Sequence, residues 1–148
     1  MITHTDHITG PTLDTIAQIW LSSNLEAHSF IDPNYWQQNF ATVKEQLATA
    51  ELFISNDAND QITGFLGLSG DYIAGVFVAA KFRGEGIGHQ LLTAAKASQT
   101  KLTLSVYAKN KKAVNFYSRE GFGLTNQEID EPTGELALQM TWTRSEAK

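Results

Sequence analysis

The chain contains no cysteine, which excludes disulfides, thiolate nucleophiles and cysteine-based zinc sites together. Any chemistry it performs comes from other side chains or from a cofactor. No apolar run approaches the roughly twenty residues needed to cross a bilayer. The opening MITHTDHITG has neither the charged nor the apolar region of a secretory signal, so a soluble, cytoplasmic protein without a membrane partner is expected. Basic residues are in deficit: 11 Lys and Arg against 16 Asp and Glu give a net charge of -5. Sequence-independent nucleic-acid binding needs a concentrated basic face, so no nucleic-acid partner is expected, and a cationic ligand is favoured instead. His4, His7, His28 and His89 show no metal-ligand spacing such as H-x-x-x-H, and no metal is expected. Proline is scarce, with three in all, and Pro11 and Pro33 stand where helices can begin.

What is present is a chain of 148 residues that is 42% apolar. That length buries roughly two thirds of the unfolded surface and predicts one domain over residues 1–148. Leu13, Ile16, Ala17 and Trp20 follow helical spacing after Pro11, in a helix that should end near His28. Asp32 is a natural N-cap for a second helix with Trp36, Phe40, Val43 and Leu47 on one stripe. The stretch ELFISNDANDQITGFLGLSGDYIAGVFVA reads as three antiparallel strands broken at NDAND and SGD. A helix from Gly86 to about Ser98 precedes the strand KLTLSVY, with Leu102, Leu104 and Val106 inward. Asn110 caps a short helix that Gly121 can end in the left-handed conformation. Two strands joined near EPTGE close the chain, the last pointing Leu136, Leu138, Met140 and Trp142 inward, before a tail, RSEAK, expected to fray. The fold class predicted is α+β: a mixed, mostly antiparallel sheet with helices on both faces.

One stretch carries chemistry. In VFVAAKFRGEGIGHQLL, a strand runs through closely spaced glycines straight into a helix. A helix start exposes unpaired N–H groups and the positive end of the helix dipole, which together favour an anion, commonly a phosphate. A Walker A loop would need Lys-Ser or Lys-Thr after the glycines, and a dinucleotide fingerprint would need glycine where His89 stands. The pattern that fits is Q/R-x-x-G-x-G/A, supplied by Arg83, Gly86 and Gly88. Further on, Asn110, Ala113, Phe116, Tyr117, Gly121 and Phe122 fit N-x-x-A-x-x-F-Y-x-x-x-G-F.

In these two segments the chain resembles the GNAT superfamily of acetyl-CoA-dependent N-acetyltransferases, nearest to its bacterial members. The likeness is close over about residues 70–125 and extends elsewhere by element order. It departs at Ala80, where many members carry proline. The resemblance implies that the backbone of Arg83, Gly84, Gly86, Ile87 and Gly88 wraps the coenzyme A pyrophosphate. It implies that Phe77 and Val78 offer backbone groups to the pantetheine arm, that Asn110 touches the cofactor, and that Tyr117 stands at the thioester sulfur as the catalytic residue. An acceptor pocket is expected from His28, Phe30, Trp36, Asp71 and Tyr72. Asp71 is the only carboxylate near the position of the family's fourth-strand Glu, and a plain turn residue is the simpler reading of it, so the general base stays unassigned.

The activity implied is direct transfer of acetyl from acetyl-CoA to a primary amine of a small molecule or peptide, by a monomer or homodimer. The alternative is a non-catalytic coenzyme A-binding sensor or partner module. Glu26, His28 and Asp32 are expected to border the acceptor side, which would favour a cationic amine.

Overall fold

The computed structural model describes residues 1–145. Strand β1 (Ile2–Thr5) leads into helices α1 (Gly10–Ala27) and α2 (Pro33–Leu47). Strands β2 (Glu51–Asn56), β3 (Ile62–Ser69) and β4 (Tyr72–Val78) follow, then α3 (Ile87–Ala97), β5 (Lys101–Tyr107), α4 (Lys111–Arg119), β6 (Gly123–Asp130) and β7 (Glu135–Thr143). The sequence pattern does not announce the 3-10 turn, Ala80–Phe82, after β4. The α+β class and the element order are as expected.

Local rules explain the boundaries. Pro11 lies in the first turn of α1, where a missing N–H costs nothing. The Asp32 carboxylate accepts from Asn34 N at 2.9 Å, and Asn110 Oδ1 accepts from Ala113 N at 3.3 Å, each satisfying an orphan donor at a helix start. Gly121, at φ 95, ends α4 in a conformation that a Cβ would disfavour.

All seven strands form one sheet in the order β1-β2-β3-β4-β5-β7-β6. Alternation along the strands separates two cores. Phe53, Leu66, Leu68 and Ile73 pack with Leu91 and Leu92 of α3, while Leu52, Ile54 and Phe65 pack with Ile16 and Ile19 of α1. Helices therefore cover both faces. Every neighbouring pair is antiparallel except β4 and β5, which are parallel and share only Tyr72↔Thr103 and Ile73↔Leu104.

Beyond Ile73 and Leu104 the two strands part. β4 stays with β3 as far as Val78↔Gly64, and β5 stays with β7 as far as Tyr107↔Ala137. A register shift in the β3–β4 ladder puts Ala74 in as an extra residue, since Gly67 pairs Gly75 while Leu68 pairs Ile73. Such a bulge bends its strand and tightens its twist, which turns β4 away from β5. The inner edges of both strands are thereby left facing a wedge.

Two details differ from the expected pattern. Leu136 is 38% exposed, and its neighbour Ala137, on the opposite face, is buried where the wedge opens. Arg144, placed in the fraying tail, is anchored: its backbone N donates to Thr100 O at 2.8 Å and its Nη2 donates to Lys96 O at 2.6 Å and Gln99 O at 2.9 Å. That guanidinium caps the carbonyl end of α3. The remainder of RSEAK beyond Ser145 lies outside the described residues. No described helix is long and apolar enough to cross a membrane.

Candidate active site

The wedge between β4 and β5 opens into a cleft of about 870 Å³, walled by the end of α1, the inner edges of both strands and the starts of α3 and α4. Phe77 shows how one strand serves two purposes. Its ring stacks on Phe65 at 5.0 Å inside the core, while its stretch of backbone lines the cleft. On the same edge the Val78 carbonyl accepts from Arg83 Nε at 3.3 Å, and the Val76 N–H lies within reach of the Tyr117 hydroxyl.

The glycine turn forms one end. Gly84 and Gly86 have φ of 82 and 81, left-handed values that side chains rarely adopt, and a Cβ on either would meet nothing within 4 Å. The space over the turn is open. α3 begins there with no side-chain cap, unlike α2 and α4, so its first N–H groups depend on water or a ligand. Gly88 is small for a different reason from the one expected. A Cβ there would sit 3.0 Å from Phe116 Cζ, so this glycine lets α3 pack against α4. Ile87 sends its side chain into the core. Of the cofactor residues proposed from sequence, Phe77, Val78, Arg83, Gly88, Asn110 and Tyr117 line the cleft, whereas Gly84, Gly86 and Ile87 form the turn between Arg83 and Gly88 without lining it.

Arg83 pairs with Glu26 of α1 across the cleft mouth. Lys111 and Lys112, at the start of α4, also line the cleft and enter no ion pair among the described residues. This end is cationic although the chain as a whole is acidic.

Tyr117 stands at the apex. Only 8% exposed, its ring packs against Phe122 at 5.7 Å and Phe116 at 5.3 Å. Burial, and then the neighbouring Tyr72, push its phenol well above the ordinary value of 10.0, so it stays protonated and can donate a hydrogen bond.

His28 joins the two ends. It stacks on Trp36 at 5.3 Å and meets Tyr107 edge-on at 5.1 Å. Asn110 uses its oxygen to cap α4, so its amide Nδ2 donates to His28 Nε2 at 3.1 Å. The imidazole thus accepts at Nε2 and carries its proton on Nδ1. Burial lowers its pKa from 6.5 to about 4, which keeps it neutral. His28 Nδ1, Trp36 Nε1 and Ser23 Oγ are all buried without a hydrogen-bond partner, and all three residues line the cleft.

The proposed acceptor residues do not all arrive. His28, Trp36 and Tyr72 line the cleft. Phe30 stands one layer back, edge-on to His28 at 5.7 Å and to Tyr107 at 5.8 Å. Asp71 is not brought to the cleft: it pairs with Lys101 Nζ at 3.6 Å, while its backbone carbonyl accepts from Thr103 N at 2.8 Å. It is a turn residue tied to the start of β5. Asp32 is likewise spent on capping α2, and Glu26 on Arg83.

The carboxylate that lines the cleft away from the glycine turn is Asp130, with Tyr107 beside it. Sequence reasoning missed both, because EIDEPTGE reads only as a hairpin and Tyr107 as the last residue of an alternating strand.

Residues 22–144 match the acetyltransferase (GNAT) domain family. Peptidyl-lysine N-acetyltransferase YiaC of Escherichia coli (strain K12) is 32% identical over 132 residues, covering 88% of this chain and 90% of its own length. Peptidyl-lysine N-acetyltransferase YjaB of the same organism is 31% identical over 119 residues, covering 80% and 81%. The solution structure of apo-form YjaB matches with a TM-score of 0.83 at 26% identity, over 96% of this chain and 97% of that one. The crystal structure of the PaiA N-acetyltransferase from Thermoplasma acidophilum, in complex with coenzyme A, shares the fold with a TM-score of 0.71 at 16% identity, over 97% of this chain and 99% of that one.

Proposed function

The chain belongs to the GNAT family of acetyltransferases, and from that premise we propose that it transfers acetyl from acetyl-CoA directly to the ε-amine of a peptidyl lysine. The observation that carries this reading is the divergence of β4 and β5 with the Tyr117 hydroxyl at its apex and an uncapped, glycine-led α3 beside it. The acceptor is suggested by the relatives, both peptidyl-lysine N-acetyltransferases. We take residues 1–148 as one transferase unit working in the cytoplasm, as a monomer or homodimer, without nucleic-acid or membrane partners.

The residues fit the donor. The inner edge of β4 can hold an amide-bearing arm as it would hold an added strand, through groups such as the Val76 N–H and the Val78 carbonyl. Open space over Gly84 and Gly86, the free N–H groups of α3, and Arg83, Lys111 and Lys112 suit phosphates. Arg83 would exchange Glu26 for a phosphate group, whose two oxygens its guanidinium fork can grip as it grips a carboxylate. When bound, acetyl-CoA supplies a thioester whose carbonyl carbon accepts the amine.

A new N–C bond then replaces the C–S bond. Of the two protons the ammonium gives up, one ends on the thiol and one in solvent. Tyr117 stabilises the departing sulfur by donating a hydrogen bond. Complete proton transfer from it is uphill even from an ordinary phenol, since pKa values of about 10 and 8.5 for phenol and thiol differ by about 2 kcal/mol, and burial raises the phenol further. His28, at about 4, is too weak a base to deprotonate an ammonium of about 10.4. Asp71, turned to Lys101, is not the base either.

A thiol-release assay with acetyl-CoA and lysine peptides, followed by mass spectrometry of the peptide, tests the reading. The expected product is one acetyl-lysine per thiol. Turnover of polyamines or aminoglycosides but of no lysine peptide would refute the acceptor. Binding of acetyl-CoA without turnover of any amine would leave a coenzyme A-binding module, the reading not favoured here.

A further inference from the structure

Three of the four tyrosines of the chain, Tyr72, Tyr107 and Tyr117, line this cleft, and Asp130 stands with them. Tyr72 opens β4, Tyr107 ends β5, Tyr117 lies in α4 and Tyr35 in α2. Tyr107 Oη donates to Asp130 Oδ2 at 3.0 Å, and Thr133 Oγ1 donates to the same oxygen at 2.7 Å. The second oxygen, Oδ1, has no hydrogen-bond partner among the described residues. Burial, and then the Asp130 charge, raise the phenols of Tyr35 and Tyr72, so both rings lie within the field of this carboxylate. Tyr72 lines the cleft together with Asp130 and Tyr117, and it raises the Tyr117 phenol further.

Two carboxylates line the cleft, Glu26 and Asp130. Glu26 is matched by Arg83, but Asp130 enters no ion pair among the described residues. A half-buried carboxylate that enters no ion pair and is held by two hydroxyls on one oxygen leaves its other oxygen free for a cation. A buried charge is ordinarily paired, and tyrosine faces attract cations. Tyr107 is itself fixed by edge-on contacts with His28 and Phe30, so the frame is rigid before any ligand arrives.

We propose that Asp130, held by Tyr107 and sharing the cleft with Tyr72, is the docking carboxylate for the acceptor's ammonium group and the residue that selects a cationic amine. This rests on the transferase reading above and adds the specificity determinant to it. Amines near pKa 10.4 reach the protein charged in all but about one molecule per thousand at neutral pH. Asp130 Oδ1 and the tyrosine faces receive that charge, and passage along Tyr72 toward Tyr117 brings the amine to the reacting carbon. Asp130 is a specificity residue in this scheme, and Tyr107 positions it.

The test uses the whole chain with acetyl-CoA, and with Nα-acetyl-lysine amide as the acceptor. Asp130→Asn keeps the shape and lets the amide oxygen accept both hydroxyls, but turns an NH2 group toward the ligand. It should raise KM for the lysine amide about tenfold or more with kcat within about threefold, as expected when binding common to ground and transition states is lost. Coenzyme A affinity by titration calorimetry should be unchanged, and the rise of KM with salt expected for the wild type should flatten. Tyr107→Phe should give a smaller rise that is not additive with Asp130→Asn.

An unchanged KM in Asp130→Asn overturns the proposal, as does a wild type that prefers an amine bearing a nearby carboxylate. If the wild type binds coenzyme A but acetylates no amine, the transferase reading falls separately. The lysine amide's dissociation constant on the coenzyme A-bound protein, followed by NMR, then decides this one: weaker binding in Asp130→Asn supports it, and equal binding or none in the wild type overturns it.

Discussion

The two ends of the cleft are built in different ways. The end proposed for the cofactor uses backbone: the unpaired edge of β4, two left-handed glycines and an uncapped helix start, from a nearly continuous stretch running from Val76 to Gly88. The acceptor end uses side chains gathered from five elements and connections, with His28, Trp36, Tyr72, Tyr107 and Asp130 far apart in the chain. Backbone recognition depends on conformation, which glycine and strand patterns announce. Side-chain recognition depends on tertiary placement, which no local pattern announces. Arg83, Lys111 and Lys112 gather at one end, whereas at the other Lys109 is paired with Glu135 and Asp130 enters no ion pair among the described residues.

Substitution at the junction of the two ends should have the largest effect. Tyr117→Phe keeps the ring and its contacts with Phe116 and Phe122 but removes the donor. Turnover should fall by about ten- to a thousandfold, the usual range for loss of a group acting on a leaving atom, while coenzyme A affinity stays unchanged. Single-turnover kinetics make the measurement with chemistry isolated. An unchanged rate would make Tyr117 a packing residue and leave the two ends without a common centre.

Next in size is a change confined to the backbone end. Gly86→Val forces a branched residue to φ 81 and fills the open space over the turn. Coenzyme A affinity should drop about tenfold or more by titration calorimetry, because the side chain occupies the proposed phosphate space. Gly10, at φ 57 with nothing within 4 Å of an added Cβ, is the control for strain alone. Gly10→Ala should cost about 1–2 kcal/mol of stability, as a left-handed side chain does, with full coenzyme A affinity. Equal affinity for Gly86→Val and wild type would remove the phosphate from this turn.

Gly88 sharpens the distinction by being a glycine of the other kind. An added Cβ sits 3.0 Å from Phe116 Cζ, a side-chain tip that can give by tenths of an ångström. Gly88→Ala should lower stability by about 1–2 kcal/mol, the cost of modest overpacking, and weaken coenzyme A less than Gly86→Val does. Thermal unfolding beside calorimetry separates the two effects. A larger affinity loss at Gly88 than at Gly86 would reverse the assignment.

The same contrast explains what could be read from the chain before its fold was known. Strand alternation, the proline and Asp32 helix starts and the glycine turn are local, and the sheet order, both cores and the β4–β5 wedge agree with them. Even there, Gly88 was legible as a glycine but not as a packing residue, because Phe116 lies on another helix. Asp71 drew notice as the only carboxylate near the position of the family's fourth-strand Glu, yet its side chain turns to Lys101. Asp130 ends β6, the edge strand of the sheet, and meets the cleft from across β7 at the mouth of the β6–β7 hairpin, where it accepts from Tyr107 at the end of β5, a meeting set by tertiary placement rather than by any motif. Leu136 broke its strand's alternation where Ala137 faces the cleft instead of the core.

The smallest expected effect concerns His28, which bridges the ends through Asn110 and Trp36. Burial lowers its pKa from 6.5 in the unfolded chain to about 4 in the folded one. Between those values the unfolded state binds more protons, so stability rises with pH across this window, is fully present above about 6.5, and is lost progressively as pH falls toward about 4. Solvent at the open side of the ring screens part of this, which keeps the effect modest. Protonation would also put a hydrogen on Nε2, where Asn110 Nδ2 already donates, so the α4 cap and the stacked ring are disturbed together. His28→Gln supplies an amide that stays neutral throughout. Urea unfolding at pH 7.5 and pH 5 should therefore show the wild type losing more stability than the variant on acidification, with the gap between them narrowing at the lower pH. The carboxylates and the other histidines are common to both chains and cancel in that difference. A gap of the same size at both pH values would mean that the ring gives up no charge on folding, and that the bridge between the two ends rests on stacking alone.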